Sequence, residues 1–166
     1  MEILPTVITC SVQIVTCGLS YIFGRRTAKI DAKRAVLRER YDNFYVPFVR
    51  YLYKGFYIDG IRSGMPAQNR ATMLELLSDN LEYLDVGTLR LYPCFYEAYL
   101  DMLEYEAGNS GFSKAPENFQ HVVNQLALTI LEETQRIALE LSLPPLGQSL
   151  ISDYRRNLSM LSKQVD

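Results

Sequence analysis

Side chains that could act as a nucleophile or a base are scarce in this sequence. His121 is the only histidine, and Cys94 is the only cysteine beyond residue 17. A cysteine nucleophile needs a base beside it, so a Cys94–His121 dyad is one arrangement that the sequence leaves open. Free cysteines are usually buried and behave as small apolar residues. We therefore expect Cys94 to be a core thiol and His121 to be an imidazole on a helix surface.

Carboxylates form two further candidate clusters. Glu117 lies one helical turn before His121 and could share a metal with it, but the Glu-x-x-His motifs of a di-iron bundle do not occur. Glu97, Asp101 and Glu104 recur at helical spacing and could bind a cation, although a solvated acidic face is the simpler interpretation. Glycine-rich phosphate loops of the GxGxxG or GxxxxGKS/T type are absent. The sequence thus predicts no catalytic residue, no metal site, no cofactor and no small-molecule substrate.

Length and composition are those of an ordinary folded chain. It has 166 residues, of which 48% are hydrophobic and 22% are charged, so disorder throughout is excluded and one domain is expected. Seventeen Lys and Arg residues against nineteen Asp and Glu residues give a net charge of −2, which argues against nucleic acid as a partner. Three cysteines exclude a disulfide framework.

The charges are placed unevenly, and one long run has none. Residues 3–23 contain no charged side chain over 21 positions, which is long enough to span a bilayer core as a helix. Seven basic and two acidic residues follow in residues 25–40, a net charge of +5. By the positive-inside rule, this pattern predicts a transmembrane anchor at residues 1–26 and a cytoplasmic helical domain at residues 27–166. The predicted location is the cell membrane, with a single pass.

Two alternatives for residues 3–23 stay open at this point. A cleaved signal peptide carries positive charge before its apolar run, whereas Glu2 precedes this run and no A-x-A cleavage pattern is present. A buried helix of a soluble protein would suit the hydroxyl and amide side chains of the run, but so long an uncharged stretch is unusual in a soluble core.

Polar residues of the predicted anchor recur on one side of the helix. Thr6, Thr9, Gln13, Thr16 and Ser20 are separated by three and four residues in turn, which places them on one stripe. Lipid offers these groups no hydrogen-bond partner, and self-association of two anchors would supply one. A different membrane protein, or hydrogen bonds back to the carbonyls of the same helix, would satisfy the stripe as well.

The basic stretch that follows the anchor has two interpretations. Arg25, Arg26 and Lys29 lie within the roughly 10 Å reach of the charge on an anionic membrane surface and could bind its lipids. A role in membrane topology alone is the simpler interpretation, because single-pass proteins generally carry such residues.

The rest of the chain is predicted to be helical, and no segment alternates with the period of a strand. Pro47 is expected to bend or split the predicted helix 27–54, and Asp85 or Thr88 is expected to cap the helix 89–107. The helix 116–142 is expected to be central, because its apolar arc is wide. We expect an all-α fold in which the transmembrane helix precedes a bundle of four or five helices. The predicted helices cover residues 27–54, 66–84, 89–107, 116–142 and 148–162.

Aromatic residues are concentrated at residues 41–57, which hold eight Tyr and Phe residues. We expect most of these rings to pack against the predicted helix 89–107. They cover more than one helix face, so some are expected to be exposed or to lie in an interface. In the predicted helix 89–107, the residues that we expect to face inward are Tyr92, Phe95, Tyr96, Tyr99 and Leu103.

Three segments of the chain carry a resemblance to known proteins. The strings RERYDNFYVPFVRYLYKGF, NLEYLDVGTLRLYPCFYEAYLDMLEYEAGN and FSKAPENFQHVVNQLALTILEET resemble small uncharacterised single-pass proteins of Gram-positive bacteria and their prophages. The resemblance covers most of the chain after Arg25. It implies a membrane-anchored helical protein and brings no catalytic residue with it.

Two classes of function fit these observations. The first is a non-enzymatic, membrane-tethered interaction protein whose partner is another protein or a second copy of the chain. The alternative is an enzyme or metal-binding protein with a site between its helices. The scarcity of histidine, cysteine and glycine-rich motifs favours the first class.

Overall fold

A computed structural model of the chain describes residues 3–56 and 65–162, with the side chains of 3–20, 22, 55–56, 157 and 160–162 left outside the description. The described residues form helices and no strand, which confirms the predicted all-α bundle. Short π-helical turns, Tyr41–Tyr45 and Leu52–Phe56, lie on either side of the second helix, and 3₁₀ turns, Leu81–Tyr83 and Ser110–Phe112, precede the fourth and fifth. The helices are α1 (Ile3–Arg40), α2 (Val46–Tyr51), α3 (Ala67–Ser78), α4 (Val86–Glu106), α5 (Ala115–Glu140) and α6 (Gln148–Ser162).

The chain divides into two compact units, Met1–Leu37 and Arg38–Asp166. The first unit is helical throughout its described residues, and the side chains of residues 23–36 are all exposed. Within the described residues, no helix has both the length and the apolar composition that a membrane span requires. The predicted span at residues 3–23 falls largely on side chains outside the description, and the functional boundary at residue 26 stays a prediction.

Pro47 changes the hydrogen-bond pattern of the helix that the sequence predicts for residues 27–54. The preceding turn widens, so that the Val46 N–H donates to the Tyr41 carbonyl, five residues back. Pro47 has no N–H to donate and occupies the first turn of α2, directly after the widened turn. The π-helical turn is thus the way in which the chain accommodates the proline without breaking the run of helix.

The α5 helix forms the centre of the second unit. It packs against α4, α6 and the Tyr41–Tyr45 turn, so the expected central position is observed. Its two buried polar side chains are satisfied locally: Thr134 Oγ1 donates to the Ile130 carbonyl at 2.7 Å, and Asn124 accepts from Gln120 at 3.0 Å. Its buried apolar residues are Ala115, Phe119, Val123, Leu126, Ala127, Ile130, Leu131, Ile137 and Ala138.

The aromatic residues after Tyr41 supply much of the remaining core. Phe44, Tyr45 and Phe48 are fully buried, and the Phe44 ring contacts both of the others at centroid distances of 5.0 and 5.6 Å. The expected ring contacts with α4 are not among those described, because Phe95 of α4 instead packs on Phe119 of α5 at 5.9 Å. The prediction that aromatic rings of residues 41–57 lie in the core is confirmed for these three rings.

Two tyrosine hydroxyls are held in this core by hydrogen bonds. Burial raises the pKa of Tyr51 to about 12, and its hydroxyl donates to the Asn69 carbonyl at 2.8 Å. Burial likewise raises the pKa of Tyr45, whose hydroxyl accepts from Arg40 at 3.0 Å and donates to the Tyr83 carbonyl at 3.3 Å. Donation to the two carbonyls favours the neutral phenols, whereas the Arg40 guanidinium opposes the rise in the Tyr45 pKa without cancelling it.

Asp85 sets the start of α4. Its carboxylate accepts from the Gly87 N–H at 2.7 Å and from the Thr88 N–H and hydroxyl, as an N-cap residue does. The helix therefore begins at Val86, three residues earlier than predicted. Pro93 consequently lies in the interior of α4.

The connection between α5 and α6 passes close to the core. Gly147 has a φ of 77°, and a Cβ added there would lie 2.8 Å from Leu131 Cδ2. Glycine is thus required both by the backbone conformation and by the close approach of the connection to α5.

We predict that two leucines of α5 respond differently to truncation. Leu131 is fully buried, whereas Leu139 is 71% exposed. Leu131→Ala should lower the free energy of unfolding by about 2–5 kcal/mol, because it opens a cavity in the core. Leu139→Ala should change it by less than about 0.5 kcal/mol. Chemical denaturation followed by circular dichroism measures both, and equal losses would contradict the buried face assigned to α5.

Candidate interaction surface

An apolar stripe runs along the exposed side of α4. Its residues are separated by three and four positions alternately, which keeps them on one face of the helix. The exposed fractions of its non-proline members are 65%, 42%, 44%, 42% and 43%. We call this surface the α4 stripe; its residues are Val86, Leu89, Pro93, Tyr96, Leu100 and Leu103.

The opposite side of α4 is the one that enters the core. Thr88, Phe95, Ala98 and Met102 are buried, and α4 packs along α5. The expectation that Tyr96 faces inward is therefore wrong. The reason is that α4 is apolar on two sides, and α5 covers only the side that carries Phe95.

Leu103 and Cys94 were also expected in the core, and both lie outside it. Leu103 belongs to the exposed stripe, and Cys94 is an exposed free thiol. His121 is half-buried on α5, while Glu117 is exposed. No group of three His, Cys, Asp or Glu residues close enough to hold a metal occurs in the described part of the chain. Tyr92 and Tyr99, both half-buried, lie between the stripe and the buried face.

Charged residues form one edge of the α4 stripe. Arg90, Glu97 and Glu104 each follow a stripe residue directly, and all three are exposed. Within the described residues, the side chains of Arg90 and Glu97 make no hydrogen bond or ion pair. Glu104 accepts a hydrogen bond of 3.4 Å from Asn109. The predicted acidic face of Glu97, Asp101 and Glu104 therefore borders an apolar surface on one side.

A cavity of about 480 Å³ lies between α3, α4 and α5. Arg70, which is 3% exposed, donates to the Met65 carbonyl at 2.6 Å and forms an ion pair with Glu106 at 2.5 Å. Its guanidinium lies 6.0 Å from the centre of the Phe119 ring. Its Nε has no hydrogen-bond partner and is closed to solvent. Glu106 neutralises the Arg70 charge, and the unpaired Nε–H of Arg70 is not accessible from the cavity. The Arg70–Glu106 pair is therefore a structural ion pair.

The residues assigned to the membrane lie on α1. Arg25, Arg26 and Lys29 are exposed, as an interaction with anionic lipid would require. The proposed association residues of the anchor also lie in α1, but their side chains fall outside the described part of the structure, so their role stays a prediction. Those residues are Thr9, Gln13, Thr16 and Ser20.

Comparisons of the chain with protein-family models, with curated proteins and with solved structures found no match.

We predict that the Arg70–Glu106 pair contributes to stability. Glu106→Gln leaves the buried Arg70 charge without its carboxylate and should cost about 1–3 kcal/mol, because the carboxylate is partly exposed and water compensates part of the loss. Glu104→Gln on the same helix is the matched control and should cost less than about 0.5 kcal/mol. Thermal and chemical denaturation measure both, and equal effects would show that Glu106 does not compensate the buried charge.

Proposed function

We propose that the protein is a membrane-tethered, non-enzymatic interaction protein that binds a protein partner through the α4 stripe. The observation that carries the proposal is the exposure of six aligned apolar residues on a helix whose other side is firmly packed. Contiguous exposed apolar surface commonly marks an interaction site. Its alignment along one helix suits a partner that presents a helix of its own.

The charges beside the stripe favour a protein over a lipid surface. Glu97 and Glu104 outnumber Arg90 along the edge of the stripe, so an anionic leaflet would repel this edge overall. The alternation of three- and four-residue spacings is the pattern with which two helices pack at a small crossing angle. A helix of a protein partner therefore fits this surface better than a bilayer does.

The tether is supported by the sequence of residues 3–23, which contains no charge, and by the basic residues that follow. Arg25, Arg26 and Lys29 are exposed and free to face an anionic leaflet. In this proposal the second unit lies on the cytoplasmic side of the cell membrane. The resemblance to single-pass proteins of Gram-positive bacteria is consistent with the same arrangement.

The exposed thiol of Cys94 gives a direct test of topology. A membrane-impermeant maleimide should label Cys94 only after cells are permeabilised, because the domain faces the cytoplasm. The full chain should stay with membranes after alkaline extraction, whereas a chain lacking residues 1–26 should be released. Cys94→Ser is the control that identifies the labelled thiol. Labelling of Cys94 in intact cells, or retention of the shortened chain, would contradict the proposed tether.

The stripe can be tested by charge insertion. Leu89→Glu with Leu100→Glu should raise the dissociation constant of the complex about 100-fold, because both side chains lie in the proposed contact. Leu81→Glu with Leu139→Glu is the control, since both leucines are exposed and lie off the stripe. Chemical cross-linking of the full chain in the membranes of the cells that express it, followed by separation by size, detects complexes with another protein or with a second copy. Equal cross-linked fractions for wild type and both variants would reject the stripe as a binding surface.

A further inference from the structure

We infer that the partner of the α4 stripe is a second copy of this chain, bound so that the two α4 helices run antiparallel about a two-fold axis. This inference rests on the proposed function, since it names the occupant of the same surface. It is carried by two properties of α4, the symmetry of its apolar spacing and the positions of Arg90 and Glu97.

The apolar spacing is the same from either end of the stripe. The intervals between successive stripe residues are three, four, three, four and three. A two-fold axis that passes between residues 94 and 95 therefore places every stripe residue opposite another apolar residue. In this register Val86 lies opposite Leu103 of the second copy, Leu89 opposite Leu100, and Pro93 opposite Tyr96. We call each of these residue pairs a layer. The two-fold axis produces every layer twice, so no stripe residue is left without an apolar neighbour.

The central layer gives the exposed Pro93 ring a partner. Pro93 presents a flat apolar ring on the helix surface, and its exposure leaves that ring uncovered within one chain. In the antiparallel pair, the Tyr96 ring of the second copy covers it. Aromatic rings supply large contact area at small entropic cost, which places a strong contact at the centre of the interface.

The edge charges pair in the same register. Arg90 is the only basic residue of α4, and Glu97 is exposed without a side-chain partner within the described residues. The two-fold axis brings Arg90 of each copy beside Glu97 of the other, giving two symmetric ion pairs. Two surface charges that lack partners within the chain are thereby satisfied between copies.

Two further acidic residues, the N-cap of α4 and one near its C-terminal end, already have partners within the chain. Asp85 accepts hydrogen bonds from Gly87 and Thr88, and Glu106 pairs with Arg70. A parallel pairing of two α4 helices would instead direct Arg90 towards the occupied Asp85 and would leave Glu97 unpaired. The charges therefore favour the antiparallel pair over the parallel one.

Cysteine pairs placed in the stripe test the register directly. In the full chain in membranes, with Cys10→Ala, Cys17→Ala and Cys94→Ser as background, Leu89→Cys combined with Leu100→Cys should give a covalent dimer on mild oxidation. The two positions of one chain lie about 16 Å apart along the helix, too far for a disulfide within the chain. Each single cysteine variant is the matched control, and neither should dimerise, because each thiol then lies about 16 Å from its own copy.

Charge reversal tests the ion pairs independently. Arg90→Glu alone and Glu97→Arg alone should each weaken dimerisation about tenfold, since like charges then meet twice per dimer. The double variant, Arg90→Glu with Glu97→Arg, should restore wild-type dimerisation, because the two charges have only exchanged places. A different protein on the stripe would not tolerate the double reversal better than the single ones.

The outcomes separate this inference from the proposed function. A covalent dimer from the double cysteine variant alone, with rescue by the double reversal, supports the antiparallel pair. Dimers from the single cysteine variants show a parallel pair and overturn it. A complex that depends on Leu89 and Leu100 but gives no cysteine dimer means that the stripe binds another protein, so the inference fails and the proposed function stands. No stripe-dependent complex at all means that both fail.

Discussion

Burial of α5 on several sides at once is the constraint on which the rest of this fold depends. Apolar residues of α5 face α4, α6 and the Tyr41–Tyr45 turn, so each of these elements must direct an apolar face towards the same helix. A helix that packs against a neighbour on one side keeps a second side that faces away from that neighbour. In α4 the second face is also apolar, and no described element covers it. The α4 stripe is thus the apolar side of α4 that stays exposed after the other side has packed against α5.

The entry of the chain into the second unit is held by one arginine. Arg40 donates from Nε to the Tyr83 carbonyl at 2.8 Å and lies 3.8 Å from Glu133. Its guanidinium also lies 5.7 Å from the centre of the Tyr45 ring. Arg38 pairs with Asp42 at 2.7 Å. The last basic residues of the run 25–40 therefore act within the fold, and the residues proposed to face an anionic membrane surface lie earlier in α1.

Sequence patterns predicted the helices well and the orientation of α4 poorly. The range of α6 and the central place of α5 follow from apolar periodicity and from nearby glycine and proline residues, which are local signals. Tyr96 and Leu103 were assigned to the core because an apolar residue on a helix usually faces inward. On a helix with two apolar faces, periodicity cannot decide between them, since the choice depends on which face meets Phe119. The exposure of Cys94 follows from the same choice.

The proposed tether bears on how strong a contact the stripe must make. From Val86 to Leu103 the stripe extends only about 26 Å, so two copies would meet over less surface than most stable dimers bury. Confinement of both copies to one membrane raises their effective concentration, so a contact too weak for free monomers in solution suffices for tethered ones. Association of the anchors through Gln13 would add to this effect. The small size of the α4 stripe is therefore consistent with pairing of two copies that the proposed tether confines to one membrane.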